Sequence, residues 1–102
     1  MSEITSSGDH MIIKPGVDVV ASMADEFKQE LLSIINTSKG DIVLDFMDVG
    51  MVDSVGIGII IAAHNTLDQA ARKLKIVNVT KDIFGLFSAM RLNKRFMVEA
   101  AG

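Results

Sequence analysis

Two short apolar runs, Asp41-Ile42-Val43-Leu44-Asp45-Phe46 and Leu74-Lys75-Ile76-Val77-Asn78-Val79, flank a long apolar stretch, and this order constrains the fold more than any other feature of the chain. The first run is β-branched and bounded by turn residues; the second alternates and then turns apolar. Both read as strands at or near a sheet interior. The stretch between them, from Val55 onward, is ambiguous because Ile59-Ile60-Ile61 has strand propensity. Its length and flanks decide for a helix. That helix is expected to continue through Ala62, Ala63, Leu67, Ala70 and Ala71 to Arg72-Lys73, with basic residues in its last turn.

The other segments continue the alternation. His10-Met11-Ile12-Ile13-Lys14 reads as a strand, ended by the turn pair Pro15-Gly16. After an extended piece over Val17 to Val20, Ser22 with Asp25 resembles a capping box, and Phe27, Leu31, Ile34 and Ile35 recur at helical spacing. A first helix is therefore expected over Met23 to Asn36, with Lys39-Gly40 as its exit. Thr80 can cap a helix from Lys81 to about Met90, whose apolar face is Ile83, Phe84, Leu86, Phe87 and Met90. Phe96-Met97-Val98 is a short last strand. The pattern predicts one α/β domain, residues 1–102, with a mixed sheet of four to five strands and helices mainly on one face.

Composition excludes several function classes. With 102 residues the chain is one domain, long enough to bury a working core and too short for two. Hydrophobic residues make up 49%, which excludes disorder, yet the longest nearly unbroken apolar stretch, Val55 to Ala63, falls well short of the about 20 residues a spanning helix needs. No membrane insertion is expected. The start, Met1-Ser2-Glu3-Ile4-Thr5, has no basic region followed by an apolar one, so a cytoplasmic location is expected. The absence of cysteine removes disulfides, thiolate catalysis and the common zinc sites. A formal charge of −3 gives nothing that attracts nucleic acid globally. The one basic cluster, Arg91, Lys94 and Arg95, reads as a solvated face or a protein-contact patch.

Residues 53 to 58, Asp-Ser-Val-Gly-Ile-Gly, place a hydroxyl where the central apolar helix begins. Asp53 and Ser54 are both helix-capping types, and Ser54 is expected to cap. A partly exposed hydroxyl at that point also faces any protein that docks there, while the helix amides behind it favour negative charge; a phosphate would make it a switch. Gly56 and Gly58 cost roughly 1 kcal/mol each relative to alanine in a helix. They are explained by close approach of backbone from a neighbouring strand or a docked partner, or by packing of the helix onto the sheet.

No catalytic constellation accompanies this serine. A Gly-x-Ser-x-Gly elbow would need glycine at position 52, where Val52 stands. The only histidines, His10 and His64, are not spaced to serve Ser54. Asp41, Asp45, Asp48 and Asp53 lack both the calcium-loop spacing with its glycine and the paired acids of a receiver domain, and read as strand-end and turn caps. Neither enzyme activity, metal nor cofactor is expected.

What remains resembles a known family. Ile42 to Phe46, then Val49 and Val52-Asp53-Ser54-Val55-Gly56-Ile57-Gly58, an apolar helix and the strand Leu74 to Val79 look like the STAS domain of bacterial anti-sigma factor antagonists, over about Met11 to Val98. In that family the serine directly after the aspartate is phosphorylated by a partner that is both a serine kinase and an anti-sigma factor. The unphosphorylated antagonist binds the kinase and frees the sigma factor, and a PP2C-type phosphatase resets the cycle. The resemblance makes Ser54 the phosphorylation site, with Asp18, Asp53, Ser54, Val55, Gly56, Ile57 and Gly58 as the partner-binding set. Two departures stand out. Gly16-Val17-Asp18-Val19 keeps the glycine and the second acid of the family's Gly-Glu-Leu-Asp but loses the glutamate, and Ala71-Arg72-Lys73 replaces paired glycines before the later strand. The family also includes stressosome scaffolds, lipid-transport complexes and tails of anion transporters, which makes a phosphorylation-independent adaptor the alternative. With no flanking transporter or sensor segment in the chain, the resemblance favours the stand-alone antagonist.

Overall fold

The two apolar runs form the centre of a five-stranded sheet in the computed structural model, which describes residues 2–102. The strands are β1 (Glu3–Ser7), β2 (His10–Lys14), β3 (Ile42–Asp45), β4 (Leu74–Val79) and β5 (Met97–Ala100), and the helices are α1 (Ala24–Thr37), α2 (Ser54–Gln69) and α3 (Lys81–Ala89). Strand order in the sheet is β1-β2-β3-β4-β5. β1 pairs antiparallel with β2, and β2 through β5 run parallel, as in Ile13↔Leu44 and Leu44↔Ile76.

Each parallel step is bridged by one helix, and successive right-handed crossovers that all advance the same way lay their helices on the same face. Burial along the strands agrees. Ile42, Leu44, Leu74 and Ile76 are at most 2% exposed, while the intervening Val43, Lys75 and Val77 are half-buried on the uncovered face. From α1 the core takes Phe27, Leu31, Ile34 and Ile35, from α2 Ile57, Ile60, Ala63 and Leu67, and from α3 Ile83 and Phe87, whose ring meets Phe46 at 6.5 Å. Each such side chain contributes about 1.5–3 kcal/mol when fully buried. No helix among the described residues is long and apolar enough to cross a membrane.

Several element ends differ from the sequence expectation. No strand is expected before His10, yet β1 forms there. It is an all-exposed edge strand, joined to β2 by a two-residue turn in which Gly8 takes the left-handed φ of +64° that this position favours. The capping box at Ser22 does not form: a 3-10 turn over Ala21–Met23 leads into α1, and neither helical start has a side-chain cap. α2 stops at Gln69, before Arg72-Lys73, with Ala71 in the left-handed region at φ +57°. Arg72 serves another helix. Its guanidinium donates to the carbonyls of Ile35 and Gly40 at 2.8 Å and to Ser38 Oγ at 2.9 Å, satisfying the open end of α1 with a positive charge. Thr80 caps α3 as expected, accepting from the Ile83 amide at 3.2 Å.

Candidate functional site

Parallel strands place all their C-terminal ends at one edge of the sheet, and there the loop after β3 meets the loop after β2. A turn begins the first loop. The Val49 amide donates to the Phe46 carbonyl at 3.0 Å, with Asp48 at φ +69°, a conformation aspartate tolerates better than most residues. Asp45 braces the turn by accepting from the Met47 amide at 3.0 Å and from Asn78 Nδ2 at 2.9 Å. Val49 is buried at 1% exposure, whereas Met47 before it and Met51 after it are 48% and 57% exposed.

The loop after β2 is tied to this one at three points. Asp18 Oδ1 accepts from the Gly50 amide at 2.9 Å. Val19 pairs with Val52 in an isolated parallel bridge, in which the Val19 amide donates to the Met51 carbonyl at 2.9 Å and the Asp53 amide to the Val19 carbonyl at 3.3 Å. Asp53 closes the set. One carboxylate oxygen accepts from the Gly56 amide and the other from the Ala21 amide, both at 2.9 Å. Asp53 rather than Ser54 is therefore the N-cap of α2, its two carboxylate oxygens serving the helix and the second loop separately. The Gly56 amide foremost, then the Ala21 amide, holds the Asp53 carboxyl below its usual range, so it stays ionised.

Ser54 is the first residue of α2; it is exposed, and its hydroxyl has no hydrogen bond among the described residues. Asp18, Val55 and Gly58 are also exposed, and Asp53 is half-exposed. Gly56 and Ile57 face inward. A Cβ on Gly56 would lie 2.2 Å from the Val19 carbonyl oxygen, so the close backbone approach expected for this glycine is made by the chain's own bridge. Around a Cβ on Gly58 nothing lies within 4 Å. Sequence reasoning missed Met47, Met51 and Val17, which are 48%, 57% and 53% exposed and make this edge apolar as well as acidic. The left-handed Asp48 breaks any regular alternation across this loop, so the spacing of its apolar residues does not tell which of them are exposed.

The other candidates lie elsewhere. His64 is ten positions along α2 from Ser54, about 15 Å by helical rise, and its ring packs tilted against Phe96 with centroids 5.4 Å apart. His10 opens β2, at the opposite edge. Arg91, Lys94 and Arg95 surround the 3-10 turn that leads into β5, also away from Ser54. Among the described residues no group of three or more His, Cys, Asp or Glu is placed to hold a metal ion.

Comparison with known proteins supplies what geometry alone does not. The family model described as the STAS domain matches residues 2–101. A candidate anti-sigma factor antagonist of Thermotoga maritima has a TM-score of 0.89 at 17% identity, over 96% of this chain and 85% of that one. The Bacillus cell fate determinant SpoIIAA in its phosphorylated form has a TM-score of 0.75 at 13% identity, over 96% and 90%. The murine anion transporter Slc26a9 has 0.79 at 15%, over 96% of this chain and 17% of the transporter. At such identities the structural likeness is one of fold, shared by regulators and transporters alike. The family match is what extends over the sheet, its three helices and the loop that carries Asp53 and Ser54, and by it the chain belongs to the STAS domain family.

Proposed function

We propose that this protein is an anti-sigma factor antagonist, a cytoplasmic partner-switching regulator without catalysis of its own. Ser54 accepts a phosphoryl group from an anti-sigma factor that is also a serine kinase, and a PP2C-type phosphatase removes it. The unphosphorylated form binds the kinase and releases the sigma factor. The observation that carries this reading is the state of Ser54: an exposed, uncommitted hydroxyl at the start of α2, beside a carboxylate already spent on capping. Asp18, Asp53, Val55 and Gly58, with Met47 and Met51, make up the docking surface, while Gly56 and Ile57 shape it from beneath.

Phosphorylation adds about −1.5 to −2 charges. The helix N-terminus tolerates them, so the fold survives. The partner meets them beside the ionised Asp53, and like charge and desolvation then oppose the complex. The likeness to a transporter-borne domain favours a second reading, an adaptor that binds a scaffold or membrane-complex subunit without phosphorylation.

The acceptor is tested by incubating the protein with the kinase and ATP and locating phosphate by peptide mass spectrometry. Ser54 is the only hydroxyl residue between Ser38 and Thr66, and the Thr66 hydroxyl is committed to the Ala62 carbonyl at 3.0 Å. Phosphate is expected on Ser54 and absent from Ser54→Ala. Phosphate mainly on Thr66 or Ser88 contradicts the assignment.

A further inference from the structure

We infer that Met47 and Met51 are a paired oxidation site, at which a peroxide converts both thioethers to sulfoxides and thereby releases the serine kinase docked over Ser54. The inference rests on the docking role proposed above for that edge of the sheet. The chain has seven methionines and no cysteine, so thioethers are its only oxidisable sulfur. Of the described methionines, Met11 and Met23 are half-buried against the core, whereas Met47, Met51, Met90 and Met97 are 48%, 57%, 45% and 58% exposed. Exposure alone does not separate the four. Position does. Met90 is the C-cap of α3 and Met97 begins β5, which puts both at the edge where the parallel strands start. Met47 and Met51 lie between the end of β3 and Asp53, at the edge of Ser54.

Their backbone is held on both sides. The turn closed by the Val49 amide, the brace from Asp45, the Gly50 bond to Asp18 and the Val19–Met51 bond fix the loop. Buried Val49, at 1% exposure, anchors it from within. Both side chains are thus exposed on a loop whose backbone is pinned at both ends. With Val17 and Val55, at 53% and 45% exposure, they supply the apolar part of the face.

The chemistry is a two-electron transfer. The sulfur attacks one oxygen of hydrogen peroxide, an S–O bond forms as the O–O bond breaks, and the second oxygen leaves as water after proton transfer. Sulfur is oxidised by two electrons and peroxide reduced by two. The product carries a polar S=O that accepts hydrogen bonds, and a complex that buried an apolar thioether would have to desolvate it without a partner. The fold keeps its core, because neither side chain belongs to it. A methionine sulfoxide reductase restores the thioether, which makes the modification reversible.

The test treats the isolated domain with hydrogen peroxide, maps sulfoxides by tryptic mass spectrometry, and measures affinity for the kinase that modifies Ser54. Residues 40–72 form one tryptic peptide that reports Met47, Met51 and Ser54 together. Met47 and Met51 are expected to oxidise before Met11 and Met23, with circular dichroism and melting temperature retained. Oxidised wild type is expected to bind at least tenfold more weakly than the untreated protein. The double variant Met47→Leu, Met51→Leu is compared only with itself before and after peroxide, and its affinity should not change. Met90→Leu, Met97→Leu should lose affinity on oxidation as wild type does. Equal affinity of oxidised and untreated wild type overturns the inference while leaving the docking role standing, as does a Met47, Met51 double variant that still loses binding. Untreated wild type that does not bind the kinase overturns the docking role and the inference with it.

Discussion

Gly56 and Gly58 lie two positions apart in the first turns of α2, and the same alanine substitution has opposite consequences at each. At Gly56 the added methyl meets the Val19 carbonyl oxygen, a backbone atom locked in the bridge to Val52. Displacing it costs about 1–3 kcal/mol, the range for overpacking, against a gain of about 1 kcal/mol in helix propensity. At Gly58 the space is open and only the gain remains. Gly56→Ala is therefore expected to lower the melting temperature and Gly58→Ala to raise it, by up to about 1 kcal/mol of stability at the second site. Because Gly58 belongs to the proposed docking face, its alanine variant should bind the kinase less well although it melts higher. A lower melting temperature for Gly58→Ala, measured by circular dichroism, contradicts this account. That residues 53 to 58 start a helix was legible from residue types. Which oxygen caps it was not, since aspartate and serine both do so, and the choice was made by a long-range partner, the Ala21 amide.

At the scale of elements, the end of α2 carries a cost that substitution can remove. Ala71 sits at φ +57° while its amide donates to the Asp68 carbonyl at 3.0 Å and the Arg72 amide to the Leu67 carbonyl at 2.8 Å, the paired bonds that close a helix with a left-handed residue. Glycine adopts this conformation without strain, and a side chain there costs roughly 1–2 kcal/mol. Ala71→Gly should accordingly stabilise the domain by about 1 kcal/mol in denaturant titration, with kinase binding unchanged because the site lies at the other end of α2. No gain in stability would mean that the strain is relieved locally. The departure from paired glycines was visible in the sequence, but its compensation was not. Arg72 reaches α1 across more than 30 positions of chain, which no local pattern encodes. β1 escaped notice for a different reason: Glu-Ile-Thr-Ser-Ser has one apolar residue, and its strand character comes from pairing with β2 through a tight turn at Gly8-Asp9.

For the whole molecule, three parallel crossovers advancing in one direction determine both where the core forms and where the site can be. They cover one face of the sheet with helices and gather the loops after β2 and β3 at one edge, which brings Asp18 to Gly50 and Ala21 to Asp53. The alternation of strand and helix made the class of fold readable. The convergence of residues 18, 50 and 53 depended on strand order, which the alternation leaves open. Because the proposed site is an edge where two loops are stapled to a helix start, a charge placed on Ser54 is expected to change what docks there without disturbing the core. The direct test is calorimetric titration of the kinase with unphosphorylated, phosphorylated and Ser54→Asp protein, with melting curves taken on the same samples. Phosphorylation and Ser54→Asp are each expected to weaken binding by roughly 1 to 3 kcal/mol while the melting temperature moves little. Equal affinity of all three forms would contradict the switch and favour the phosphorylation-independent adaptor.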